Sequence, residues 1–64
     1  MHLATSTRFT ARIYDACGKV IKWMSGSDLA SLEMAVRINC RLNADAHRFS
    51  IVNSDDEEVM YDMA

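Results

Sequence analysis

The sequence predicts an α+β fold of the order ββαββ, with a four-stranded antiparallel sheet and one helix packed across one face. Three observations support this class. The segments 8–24 and 48–62 each place apolar residues at every second position on both sides of a turn-forming stretch, which is typical of a β-hairpin. The segment 28–42 between them repeats its apolar residues at helical spacing. One helix laid on one sheet buries both apolar surfaces.

The first hairpin begins with RFTARIYD, whose alternation puts Phe9, Ala11 and Ile13 on one face of a strand. The stretch ACG then suits a three-residue loop in which Gly18 takes the left-handed conformation. The predicted cross-strand pairs are Asp15 with Lys19, Ile13 with Ile21, and Ala11 with Trp23. This register turns Trp23 towards the core, because directly opposed residues share a face.

The second hairpin contains IVNSDDEEV, in which four acidic residues follow one another between two apolar runs. A three-residue loop SDD explains the acidic run as a chain reversal, since Asp and Asn tolerate turn conformations and a charged tip stays in water. The predicted cross-strand pairs are Asn53 with Glu57, Ile51 with Val59, Phe49 with Tyr61, and Arg48 with Asp62. The stretch lacks the alternating ligands and central glycine of an EF-hand loop, so a turn is favoured over a calcium site.

The helix is expected to begin near Ser25 or Ser27, either of which can cap it, with Asp28 at its positive end. Asn43 is a suitable stop. The predicted core consists of Phe9, Ile13, Ile21, Trp23, Leu29, Leu32, Val36, Phe49, Ile51, Val59 and Tyr61. The sequence leaves the strand order open, because 2-1-3-4 and 1-2-4-3 both keep all neighbouring strands antiparallel.

Length and composition predict one domain over residues 1–64, with 1–6 as a loose N-terminal segment. A chain of this length buries only about 60% of its unfolded surface, so its core is small. The two cysteines, Cys17 and Cys40, are expected to be free thiols in a reducing cytoplasm. No apolar run approaches the roughly 20 residues that span a bilayer, and no membrane association is expected. The formal net charge of −2 gives no overall bias towards nucleic acid.

Charged residues left over from the core form two groups of candidate partner-binding residues. The candidates are Arg8, Arg12, Tyr14, Lys22, Asp55, Asp56, Glu57 and Glu58. The first four are expected to share the outer face of the first hairpin, where cations beside an aromatic ring can hold single-stranded nucleic acid. The last four could engage a basic groove of a partner. Plain solvated surfaces are the alternative for both groups.

Apolar residues beyond the needs of the core form a third candidate surface. Met34 and Ile38 lie one turn apart on the flank of the helix, and Met60 is expected on the outer side of the sheet. Such residues are suited to a homodimer or a protein partner, and packing at the edge of the core is the alternative. No catalytic constellation, metal-ligand pattern or phosphate-binding loop is visible, so neither enzyme activity nor a cofactor is expected.

The segments SGSDLASLEMAVRINCR and FSIVNSDDEEVMYD together resemble the helix-then-hairpin half of some small phage and prophage proteins of the anti-CRISPR kind. The resemblance implies a stoichiometric inhibitor that occludes a surface of a bacterial effector complex. The leading hypothesis is therefore a small, non-enzymatic cytoplasmic protein that acts by protein–protein contact. The alternatives are a nucleic-acid-binding sheet that uses the outer face of the first hairpin, and a structural homodimeric subunit.

Overall fold

The computed structural model of the protein describes residues 8–64; the segment 1–6, expected to be loose, lies outside the described residues. The elements are β1 (Phe9–Tyr14), β2 (Val20–Gly26), α1 (Leu29–Leu42), β3 (Arg48–Val52) and β4 (Glu58–Met63). The predicted ββαββ order and four-stranded antiparallel sheet are confirmed. The strands lie in the order β2-β1-β3-β4, which is one of the two orders that the sequence left open.

The core lies between α1 and the two central strands. Its fully buried hydrophobic residues are Ala11, Ile13, Leu32, Val36, Phe49 and Ile51. Partly buried hydrophobic residues pack around them: Phe9, Ile21, Met24, Leu29, Cys40, Ala46 and Met60. The pairs Ala11–Ile51 and Ile13–Phe49 face each other across β1 and β3, so these two strands supply the floor on which the helix rests.

Both hairpin loops form as predicted. The amide of Asp15 donates to the carbonyl of Lys19 at 2.9 Å, and the amide of Asn53 donates to the carbonyl of Glu57 at 2.9 Å. The left-handed position is taken by Gly18 in the first loop, with φ 86°, and by Asp56 in the second, with φ 65°. The acidic run is therefore a chain reversal, as expected.

The registers beyond both loops differ from the prediction, because each outer strand contains a β-bulge. Ile21 is the extra residue in β2, so Arg12 is opposite Trp23. Val59 is the extra residue in β4, so Ser50 is opposite Tyr61. A bulge moves every residue beyond it to the other face of the sheet.

Three core predictions are consequently wrong. Trp23 is 62% exposed, Tyr61 is 61% exposed and Val59 is 40% exposed. The bulges also separate Arg48 from Asp62, which were expected to be opposite each other. Asp62 lies opposite Phe49 on the helix side of the sheet instead.

The helix begins at Leu29, and its N-cap is Asp28. Ser25 and Ser27, which were expected to cap it, do not. The Asp28 side chain accepts a hydrogen bond from the Ser31 amide at 2.9 Å. Hydrogen bonds with Ser31, through its side chain and then its backbone, hold the pKa of Asp28 below its ordinary value. Asn43 is the C-cap, as predicted. Within residues 8–64, no helix combines the length and the apolar character needed to cross a bilayer.

Candidate functional site

The face of the sheet that points away from α1, here called the open face, is covered by no other element among residues 8–64. The observed registers arrange its side chains in rows that run across all four strands. One row consists of Trp23, Arg12, Ser50 and Tyr61, and the next consists of Val20, Tyr14, Arg48 and Met63. The open face therefore carries three aromatic side chains, one on each outer strand and one on β1.

Two arginines on the open face stack against aromatic rings. The guanidinium carbon of Arg12 lies 5.1 Å from the centre of the Trp23 ring, and that of Arg48 lies 4.0 Å from the centre of the Tyr14 ring. At exposed sites such contacts contribute about 0.5–1 kcal/mol each. The Tyr14 hydroxyl lies 3.4 Å from the Ser50 hydroxyl, which links the two rows. These contacts keep the two guanidinium groups beside the aromatic rings of the open face.

A third arginine lies beside this arrangement. Arg8 donates from Nη2 to the Ser25 hydroxyl at 3.2 Å, and Ser25 is opposite Thr10 on the open face. The ion pairs among residues 8–64 both belong to Arg37, which contacts Glu33 at 2.9 Å and Asp62 at 3.1 Å. Residues 1–7 contain no Asp or Glu. The arginines of the open face therefore have no carboxylate within 4.0 Å.

The sequence-predicted cationic group is only partly assembled on the open face. Arg8, Arg12 and Tyr14 are brought together there, whereas Lys22 is opposite Ile13, on the face shared with the core. The expected place of Lys22 beside Arg12 is taken by Trp23. The pattern reasoning also missed Arg48 and Tyr61, because the predicted registers placed one opposite Asp62 and the other in the core.

The four acidic candidates lie at the tip of the second hairpin, where all of them are exposed. Glu57 accepts a hydrogen bond from the Asn53 side-chain amide at 3.1 Å. Glu58 is opposite Val52, at the end of the sheet away from the Tyr14–Arg48 pair. Along its strands the open face therefore has Arg12 in the middle and Arg48 at one end, whereas Arg8 lies at the same end as the carboxylates, beside β2.

The apolar candidates are divided between two environments. Met34 and Ile38 are 65% and 51% exposed, and Leu42, which is 81% exposed, continues their stripe by one more turn. Met60, expected to point outward, is opposite Ile51 and packs against the core in a half-buried position, because the bulge at Val59 moves it to the helix side. The helix thus presents a stripe of three exposed apolar side chains.

The remaining titratable groups show no catalytic arrangement in the part of the chain that the structure describes. Cys17 and Cys40 are free, as expected, and partial burial raises the pKa of the Cys40 thiol despite the opposing effect of Arg37. Hydrogen bonds to Glu33 and then to Asp62 raise the pKa of Arg37. No cluster of three or more His, Cys, Asp or Glu residues that could hold a metal ion occurs within residues 8–64.

Comparison of the chain with protein-family models, with curated proteins and with solved structures finds no match. The predicted likeness to small phage proteins is thus supported at the level of the ββαββ layout alone.

Proposed function

We propose that this protein is a small binding protein that acts by surface contact, and that the open face is its contact surface. The observation that carries the proposal is the exposure of large side chains on this face. Trp23, Tyr61 and Met63 are each more than half exposed although they belong to regular strands. Several large side chains exposed on one face of a small domain favour an interaction site, whereas a single exposed apolar residue needs no explanation.

The composition of the open face supports the same proposal. Trp, Tyr and Arg are the residue types that contribute most often to binding energy at interfaces. Here Trp23 and Tyr14 already stack against Arg12 and Arg48, which lowers the side-chain entropy to be lost on binding. The finer hypothesis of a phage-encoded inhibitor stays a prediction, as do the absence of enzyme activity and the cytoplasmic location.

Site-specific photo-cross-linking in the cells that carry the gene tests the proposal. A photoreactive phenylalanine analogue replaces Tyr61 on the open face, and in a second variant it replaces Arg41 on the exposed side of the helix. We expect covalent adducts with a macromolecule from position 61 and none from position 41. Treatment with nuclease or protease identifies the class of the captured partner. Equal adducts at both positions, or none at position 61, would contradict the proposal.

Self-association through the helix is a second candidate, favoured by the stripe of Met34, Ile38 and Leu42. Residues four apart form a ridge along a helix, and a second copy of the same ridge can pack against it about a two-fold axis. A small core gains stability from such an association. Because Ile38 is 51% exposed, Ile38→Asp is expected to convert a dimer to monomer without unfolding the domain.

Sedimentation velocity at micromolar protein concentration measures this candidate directly. The matched control is Ser54→Asp, which adds the same charge at the exposed tip of the second hairpin, away from the stripe on α1. A wild-type chain that sediments as a monomer over the whole concentration range excludes a dimer. An Ile38→Asp variant that loses its near-ultraviolet signal instead shows that Ile38 supports the core.

A further inference from the structure

We infer that the ligand of the open face is single-stranded nucleic acid, with bases stacking on the exposed rings and phosphates meeting the arginines; this inference rests on the proposed function of that face. Single strands are bound by open sheets that combine aromatic platforms with cationic side chains, because every base has a face that can stack. The open face provides both kinds of group within one surface.

The charge of the open face favours a polyanion. The chain has nine acidic and seven basic residues, giving a net charge of −2, yet the open face collects arginines 8, 12 and 48. None of these three has a carboxylate within 4.0 Å, as the ion pairs of residues 8–64 are both made by Arg37 on the helix side. Cations without a paired carboxylate, grouped on one face of an otherwise acidic chain, attract a row of phosphates more strongly than a protein surface with charges of both signs.

The distribution of side chains argues against an ordinary protein interface. Such interfaces place apolar residues at the centre and charged residues at the rim. On the open face the central strands contribute Arg12, Arg48 and Ser50 as well as Tyr14 and Val52, so charged groups lie at its centre and not only at its rim. The large apolar and aromatic side chains Trp23, Tyr61 and Met63 lie on the outer strands.

The geometry indicates how a single-stranded nucleic acid would lie on the open face. Trp23 and Tyr61 are at opposite ends of one row, so three strand spacings separate their backbones, which is roughly 14 Å. A shallow depression beside Trp23 is lined by Thr10, Met24 and Ser25 as well, and we infer that a base occupies it. Between the two rings, Arg12 is placed to meet the backbone that connects the stacked bases. The carboxylates at the tip of the second hairpin are expected to repel the phosphates of the nucleic acid from the end of the open face where Glu58 lies.

Tryptophan fluorescence provides a direct test, because Trp23 is the only tryptophan of the chain. The probe is a 12-nucleotide oligothymidylate at low salt, unlabelled for measuring Trp23 fluorescence and labelled for measuring anisotropy, with the matching adenine–thymine duplex and heparin as competitors. We expect saturable quenching of Trp23 by the unlabelled single strand, and displacement of the labelled strand by the unlabelled single strand but not by the duplex. Three phosphate contacts predict a slope of about −2 for log affinity against log salt.

Two substitutions separate stacking from general charge. Trp23→Ala is expected to weaken binding by roughly 5- to 150-fold, the effect of losing one base–aromatic stack, as measured by fluorescence anisotropy of the labelled strand. Arg12→Glu is expected to weaken it at least tenfold. The matched control is Arg41→Glu, which changes the charge equally but lies on the exposed helix surface and should bind like wild type. Circular dichroism establishes that each variant is folded.

The outcomes divide cleanly. An equal loss of oligonucleotide affinity in Arg12→Glu and Arg41→Glu overturns the inference in favour of non-specific attraction of polyanions. The same holds if heparin binds as tightly as the oligonucleotide and the oligonucleotide does not quench Trp23. Absence of any oligonucleotide binding also overturns it. If position 61 nevertheless cross-links to a protein, the proposed function stands with a different partner class. If position 61 gives no adduct, the proposed function fails as well.

Discussion

The two hairpins have the same turn, although different residues build it. In the first, Asp15 Oδ1 accepts hydrogen bonds from the amides of Cys17 and Lys19, both at 2.9 Å. In the second, Asn53 Oδ1 accepts from residues 55 and 57 at 2.9 Å and 3.0 Å. Each turn is followed by a bulge one residue into the outer strand. In both turns, therefore, a side-chain oxygen at the first position accepts hydrogen bonds from the amides two and four residues later.

The outer strands that leave these turns differ in how they meet the helix. The backbone of α1 lies over β1, β2 and β3, and it reaches β4 through side chains such as Arg37. Met24 in β2 and Met60 in β4 occupy equivalent positions, opposite Ala11 and Ile51. Equivalent local geometry therefore does not give equivalent packing against the helix. Backbone hydrogen bonds to the neighbouring strand contribute a larger share of the stability of β4 than of β2.

The largest expected effect concerns the core that both hairpins share. Phe49 is fully buried in β3, so Phe49→Ala is expected to destabilise the domain by roughly 3–5 kcal/mol. This loss is large for a chain of this size, and both hairpins should unfold together. Urea denaturation followed by hydrogen exchange measures it. Retention of protected amides in β1 and β2 would show that the first hairpin is stable without the second.

A swap at the left-handed position should change stability in opposite directions in the two turns. Gly18→Ala places a side chain at φ 86° and is expected to cost about 1–2 kcal/mol. Asp56→Gly relieves a side chain at φ 65° and is expected to stabilise by up to about 1 kcal/mol. Thermal melts compare the two variants with wild type. Effects of the same sign would mean that the turns are not equivalent in solution.

Removal of the exposed aromatic residues should cost much less than removal of Phe49. Trp23→Ala and Tyr61→Ala each delete an outward cross-strand contact, and each is expected to cost roughly 1 kcal/mol or less. Chemical denaturation of both variants provides the measurement. A loss as large as that of Phe49→Ala in either variant would contradict the corresponding bulge, since that ring would then be buried.

The smallest expected effect is the change of stability with pH that arises from Asp62 in β4. The Met63 amide and then Arg37 donate hydrogen bonds to Asp62 and lower its pKa. A lowered folded-state pKa gives stability that is present above the unfolded-state pKa and is lost as the pH falls through the folded-state value. We therefore expect stability to fall below about pH 4.

This pH dependence is measured by thermal melts between pH 2 and 7. Asp62→Asn is expected to reduce the loss of stability at low pH, here called the acid limb. Asp55→Asn at the exposed tip is the control for a lost charge. An acid limb that is unchanged in Asp62→Asn would show that the contact with Arg37 does not hold β4 to the helix.

Features encoded by short-range chemistry were predictable from the sequence. Alternation in RFTARIYD, the turn residues of both loops and the helical spacing over residues 28–42 each depend on neighbours within a few positions. Those features gave the element order, the loops and most of the core. The choice between two strand orders depends on contacts between distant segments, and short-range patterns do not report those contacts.

The two bulges account for most of the errors at the candidate site. Alternation fits β2 in two ways, with Ile21 and Trp23 or with Val20 and Met24 turned inward. The register counted from the three-residue loop without a bulge favoured the first way, and the fold adopts the second beyond Ile21. The pairing of Arg12 with Trp23, and so the character of the open face, follows from one inserted residue that pattern analysis does not detect.

The strand order has a consequence for how the chain reaches its native state. Each hairpin closes a short loop, but the β1–β3 ladder joins residue 11 to residue 51 and so encloses the helix and one turn. Closing that larger loop costs chain entropy before the central contacts repay it. We expect the barrier to folding to lie at this central docking step. Stopped-flow kinetics would show it as slower refolding in Ile51→Val and an almost unchanged refolding rate in Trp23→Ala.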